Sequence, residues 1–77
     1  MTRLAVIGGG SWGTALAAVL APRFAETRLW IREPEIAKRT HRSRINDVFL
    51  PGIAIPETVV IETDATLAAA GADVVLM

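Results

Sequence analysis

Four short apolar runs alternate along the chain with segments of helical periodicity. Leu4-Ala5-Val6-Ile7 is apolar at every position, which predicts a strand over Arg3 to Ile7 buried on both faces. From Ser11 or Trp12 to about Ala21 the pattern turns helical, with Ala15, Leu16, Val19 and Leu20 on one stripe. The alanines raise helix propensity and keep the helix thin enough to lie close to a sheet. Pro22 lacks an N–H, and its ring would meet the carbonyl of Ala18, so the helix ends or kinks there. Thr27, Leu29, Trp30 and Ile31 suit a second strand over Glu26 to Ile31, with Trp30 as a core residue at its end.

Pro34 fits the first turn of a second helix, and Glu33 and Glu35 sit well beside its positive end. This helix runs to Thr40 or Ser43, and the basic stretch from Lys38 to Arg44 complements its negative end. Asn46 to Pro56 carries Pro51-Gly52 and Pro56 among apolar residues and reads as an ordered loop with its own packing. Thr58 to Glu62 is a third strand. Thr63 or Asp64 caps a short helix over Ala65 to Ala70, which Gly71 stops. Ala72 to Met77 is a fourth strand, continuous and apolar. The order β-α-β-α-β-α-β predicts an α/β fold on a parallel sheet.

The junction between the first strand and the first helix carries the chemistry. Gly8-Gly9-Gly10-Ser11-Trp12-Gly13 places the spacing Gly-x-Gly-x-x-Gly between a strand and a helix, the context in which it binds a dinucleotide. Gly8 makes the tight turn, Gly10 lets bare backbone approach a pyrophosphate, and Gly13 lets the helix pack on the sheet. The helix N-terminus presents free N–H groups and partial positive charge to phosphate. Ser11 and Trp12 lie inside this turn. The Trp12 side chain covers a cofactor or packs in the core, and its backbone N–H is the firmer phosphate contact.

Composition narrows the field. The chain has 77 residues, and Lys plus Arg equals Asp plus Glu at 8 each. This balance gives no bulk field for nucleic acid or a membrane surface. With no cysteine and a single histidine, His41, thiolate chemistry and multi-histidine metal sites are excluded within these residues. The apolar run from Ala15 to Ala21 is too short to span a bilayer, and the glycines interrupt any signal-peptide core. A cytoplasmic protein is expected. Met77 closes the chain inside the run Val74-Val75-Leu76-Met77, so a longer protein is expected as well.

An acidic residue about twenty positions after the glycines binds the ribose 2′-hydroxyl of NAD, whereas arginine there suits a 2′-phosphate. Arg32 stands nineteen positions past Gly13, and Glu33 follows it. Arg32 comes first and can make a bidentate phosphate contact, which favours NADPH over NADH. The basic run from Lys38 to Arg44 reads as a solvated helix end rather than a supplementary anion field, and His41 as surface.

Taken together, Gly8-Gly9-Gly10-Ser11-Trp12-Gly13-Thr14-Ala15-Leu16-Ala17, Leu29-Trp30-Ile31-Arg32, and the loop Asn46-Asp47-Val48-Phe49-Leu50-Pro51-Gly52 resemble the bacterial NAD(P)-dependent sn-glycerol-3-phosphate dehydrogenases. The fourth strand, Ala72-Asp73-Val74-Val75-Leu76, resembles that family's run before its next cofactor loop. The resemblance implies a Rossmann domain of which residues 1–77 are the N-terminal portion, with a helical C-terminal substrate domain outside this chain. It implies reduction of dihydroxyacetone phosphate to sn-glycerol 3-phosphate for phospholipid synthesis, with NADPH or NADH as cofactor; a homodimer is a separate expectation. By the same resemblance Ser11, Trp12, Arg32 and Phe49 are cofactor contacts. No residue here matches a catalytic position, and the chain alone is expected to be inactive. Two departures stand out: Pro22-Arg23-Phe24-Ala25 replaces a glycine-containing turn, and Gly9 replaces a commoner alanine, which should only loosen the turn. From the residues alone, another dehydrogenase acting on a hydroxy acid or imine, and a non-catalytic nucleotide-binding module, remain open.

Overall fold

A computed structural model describes residues 2–46, 48 and 52–77. Its elements run β1 (Arg3–Ile7), α1 (Ser11–Leu20), β2 (Glu26–Trp30), α2 (Pro34–Ser43), β3 (Val59–Glu62), α3 (Ala65–Ala69) and β4 (Val74–Leu76), as the alternating pattern predicts. All strand pairs are parallel, in the order β3-β2-β1-β4. The chain leaves β1 towards β2 and β3, then returns across the sheet to β4. Right-handed crossovers therefore put α1 and α2 on one face and α3 on the other.

The two faces differ in chemistry. Register places Leu4 beside Thr27 and Val6 beside Leu29, with Thr27 and Leu29 in turn beside Val59 and Ile61. These side chains share one face, and Leu4, Val6, Leu29 and Val59 form the core with Ala17 and Ala21 at α1 and Ala37 of α2. On the opposite face Ala5 and Ala68 of α3 are buried, and two polar side chains of β2 are tied to α3 and the residues before it. The Arg28 guanidinium donates to the Leu67 carbonyl at 2.7 Å, and the Trp30 indole N–H donates to the Thr63 carbonyl at 2.9 Å. Trp30 is accordingly half-buried and hydrogen-bonded at the end of β2, not enclosed in the core.

Three further expectations need correcting. The stripe Ala15, Leu16, Val19 and Leu20 is not the buried face of α1, although Leu20 packs against the core. Thr14, Ala17 and Ala21 are the buried positions of this segment, and Val19 is 70% exposed. The glycines turn α1 so that its small residues face the strands, which leaves Leu16 and Leu20 no more than half-buried at the margins. β4 is shorter than expected. Its Val74 and Val75 are exposed because it pairs with β1 alone among the described strands. Arg44 is not part of a solvated run. It caps α2 in the left-handed conformation at φ 61°, and its Nη2 donates to the carbonyls of Pro56 and Val59, each at 2.6 Å.

Other boundaries follow the residues that set them. α1 ends at Leu20 and tightens into a 3₁₀ turn over Ala21–Arg23 that accommodates Pro22. Of the two candidate caps for α3, Asp64 is the one used, accepting from the N–H groups of Thr66 at 2.8 Å and Leu67 at 3.1 Å. β2 stops at Trp30, although the Ile31 N–H still donates to the Glu62 carbonyl at 2.9 Å. No helix among the described residues is long and apolar enough to cross a membrane.

Candidate functional site

The strand order reverses direction beside β1, and ligands of open α/β sheets bind at the carboxyl ends of the strands at such a point. A cavity of about 330 Å³ opens there, where Gly8, Gly10, Ser11, Trp12 and Gly13 meet Leu76 and Met77 at the end of β4. Five of the seven residues expected to contact a cofactor are thus brought to one place. A larger cleft of about 500 Å³, between Arg3, Glu26 and Asp73, lies at the amino ends of the strands, away from the switch point.

Each glycine has a distinct geometric reason. Gly8 leaves β1 at φ 141°, a conformation side chains rarely adopt. A Cβ on Gly13 would lie 1.8 Å from the Gly8 carbonyl oxygen, so the first turn of α1 sits directly on the end of β1. A Cβ on Gly10 would meet nothing within 4 Å, so the backbone there faces open space. Gly9 does more than loosen the turn. Its Cβ would come within 2.6 Å of Ile31 Cγ1 and 3.1 Å of Ile31 Cα, so the turn rests against the exit of β2.

The N-terminus of α1 is chemically open. Gly10 is its N-cap, no side chain caps it, and its first turn holds no acidic residue. N–H groups in the first turn of a helix lack intrahelical partners and carry about half a positive charge in sum. Trp12 is 78% exposed at the cavity edge, so it is not a core aromatic. Arg32 and Glu33 are both exposed, one and two residues beyond the Ile31 that touches the turn. Glu33 is also the N-cap of α2, without a side-chain cap bond. Phe49 lies outside the described residues. His41 is exposed, as expected, and no group of three metal-ligating side chains occurs among the described residues.

Two residues of the site are not evident as such in the sequence. Asn46 and Thr14 are both fully buried. The Asn46 Nδ2 donates to the Gly9 carbonyl at 2.8 Å and to Thr14 Oγ1 at 3.0 Å. The Thr14 hydroxyl in turn donates to the Gly9 carbonyl at 3.3 Å. The loop that begins at Asn46 is thereby pinned to the glycine turn. Its far end is closed by a bridge between Ile45 and Ala54 and by the Ile55 N–H donating to the Arg44 carbonyl at 2.6 Å. Helical or strand periodicity carries no trace of this contact. The one available signal is the polar pair Asn46-Asp47 opening a loop that is apolar beyond it.

The comparisons agree with this geometry. Residues 3–77 match the family model described as the NAD-dependent glycerol-3-phosphate dehydrogenase N-terminus. The chain is 48% identical over 77 residues to a glycerol-3-phosphate dehydrogenase [NAD(P)+] of Koribacter versatilis, covering 99% of this chain and 23% of that protein. It is 42% identical over 74 residues to the one from Chlorobium phaeobacteroides, covering 96% and 22%. Among solved structures, the glycerol-3-phosphate dehydrogenase of Coxiella burnetii superposes with a TM-score of 0.85 at 34% identity, over 96% of this chain and 23% of that one. The enzyme from Saccharomyces cerevisiae does so with a TM-score of 0.88 at 28% identity, over 96% and 25%. The chain thus spans about a quarter or less of the length of these relatives. A glycine turn seated on β1, an open helix N-terminus at the switch point and a match over residues 3–77 lead to one conclusion: the chain belongs to the N-terminal family of NAD-dependent glycerol-3-phosphate dehydrogenases.

Proposed function

We propose that this chain forms the N-terminal portion of the cofactor-binding domain of a reductase that converts dihydroxyacetone phosphate to sn-glycerol 3-phosphate for phospholipid synthesis. The observation that carries the reading is the uncapped N-terminus of α1, with Gly10 bare towards the cavity and Gly13 seated on Gly8. Backbone N–H groups there would hold the pyrophosphate, at Gly10, Ser11, Trp12 and Gly13. The Trp12 side chain would border the dinucleotide, and Arg32 would take the 2′-phosphate of NADPH, the preferred cofactor, with NADH second. Phe49 is proposed as a further contact. When bound, the cofactor supplies the hydride.

What this chain's residues contribute is binding and orientation. The open helix end adds positive potential to a site whose first turn holds no carboxylate, and the apolar edge at Leu76 limits water around the ligand. The groups that bind the substrate and move its proton belong to a helical domain outside these residues. A cytoplasmic location and a homodimer complete the proposal.

The direct test is dihydroxyacetone phosphate-dependent NADPH oxidation by the full-length protein. Titration of NADPH and NADH by calorimetry on the parent and on Arg32→Ala tests the cofactor assignment. A charged hydrogen-bonded contact of this kind is worth about tenfold or more in affinity. Arg32→Ala should therefore weaken NADPH by about that factor and leave NADH unchanged. Equal affinities in the parent would remove the assignment of Arg32.

A further inference from the structure

The Gly9–Gly10 peptide, like the Gly8–Gly9 peptide before it, joins two residues with no side chain to fix its rotation. Its carbonyl also lies outside the helical ladder, which begins with the Thr14 N–H donating to the Gly10 carbonyl at 2.9 Å. Yet the Gly9 oxygen is held from two directions, by Asn46 Nδ2 and by the Thr14 hydroxyl. The bond from Asn46 to Thr14 closes the triangle, so both amide protons of Asn46 are used. No peptide among the described residues is cis, and in a trans peptide the C=O and N–H point in opposite directions. With the carbonyl drawn into the buried polar triangle, the Gly10 N–H points the other way. Gly10 itself lines the cavity at the switch point.

We propose that Asn46 is a positioning residue for diphosphate binding: by holding the Gly9 carbonyl inward, with Thr14, it aims the Gly10 N–H at the anion. The proposal rests on the dinucleotide reading above. Asn46 does not touch the ligand. It removes the peptide-flipped state from the free protein, so that no affinity is spent on selecting the competent one. It also makes the loop that starts at Asn46 and the glycine turn one mechanical unit. Its effect falls on the diphosphate, which NADPH and NADH share, and not on the 2′-phosphate that tells them apart.

Two fragments separate these effects. ADP-ribose keeps the diphosphate, and 2′-AMP keeps the 2′-phosphate without it. Their affinities are measured by calorimetry on the full-length protein and on Asn46→Ala and Thr14→Val. Asn46→Ala should weaken ADP-ribose by about tenfold while 2′-AMP stays within about twofold of the parent. Thr14→Val retains the bond from Asn46 to Gly9 and should weaken ADP-ribose by about threefold, again sparing 2′-AMP. This milder variant carries the test if Asn46→Ala does not fold. Unchanged ADP-ribose binding in the variants overturns the proposal, and so does a parallel loss of both fragments, the mark of a merely structural role. A parent protein that binds neither fragment overturns the dinucleotide reading itself, an outcome visible before any variant is made.

Discussion

Gly13 rests on the carbonyl oxygen of Gly8 so closely that a methyl group at position 13 would stand 1.8 Å from it. Backbone lies on both sides of the contact, so no rotamer change relieves it. Gly13→Ala must lift α1 from the end of β1, and the predicted loss is about 3 kcal/mol in urea unfolding. An unchanged midpoint would show that α1 moves away from β1 without cost.

Gly9→Ala meets a different obstacle, Ile31, with Cγ1 at 2.6 Å and Cα and Cβ each at 3.1 Å. The predicted loss is about 1–3 kcal/mol, the usual cost of overpacking. The same substitution should cost less in an Ile31→Ala background. The double-mutant cycle should give a coupling of at least about 0.5 kcal/mol, and strict additivity would refute the contact.

Arg44 combines a left-handed backbone with two carbonyl contacts across the base of the loop. Arg44→Ala loses both contacts and keeps the strained conformation, whereas Arg44→Gly loses the contacts but relieves the strain. Both should lower the unfolding free energy, with glycine milder than alanine by about 1 kcal/mol. The reverse order would mean that φ at this position carries no strain.

Among the described residues, Glu26 is the one side chain whose titration stands out. A hydrogen bond from the Arg28 guanidinium holds its carboxyl below the usual range, aided by the charges of Arg28 and Arg3 and opposed by desolvation. A pKa lower in the folded than in the unfolded state means stability that is full above the unfolded value. That stability is lost as pH falls through the folded value. Unfolding midpoints followed from neutral pH into the acid range should therefore fall less steeply for Glu26→Gln than for the parent. Identical acid limbs would show that the pair adds nothing to the pH dependence.

Asp64 accepts two N–H groups at the start of α3, on the face away from α1. Asp64→Ala should cost about 1 kcal/mol and leave nucleotide affinity unchanged, which makes it a control for the site variants.

The order of elements and the glycine turn were legible because each rests on local signals: apolar runs, Pro22, Pro34, and three glycines at fixed spacing. The orientation of α1 was not. Leu16 and Val19 suggest a stripe by hydrophobicity, but the closeness forced by Gly13 admits only small side chains beneath the helix, and Thr14 and Ala17 take those places. The contact of Gly9 with Ile31 is not legible for a related reason, since the space around a glycine depends on a strand that the local sequence does not position. Arg44 looked like one more solvated cation until its left-handed backbone turned its guanidinium onto Pro56 and Val59. Asn46 was visible as a letter of a loop motif, but its partner Gly9 lies 37 positions earlier.

That separation sets how much of the chain the glycine turn needs. The first strand–turn–helix unit contains every glycine of the turn, yet not Asn46, which holds the Gly9 carbonyl. Asn46 lies beyond β2 and α2 in the chain, so a segment that ends before it lacks the amide that holds the Gly9 carbonyl. A nascent chain carrying only the first unit would display the motif without its binding geometry, and nucleotide affinity should emerge in step with the residues that follow α2.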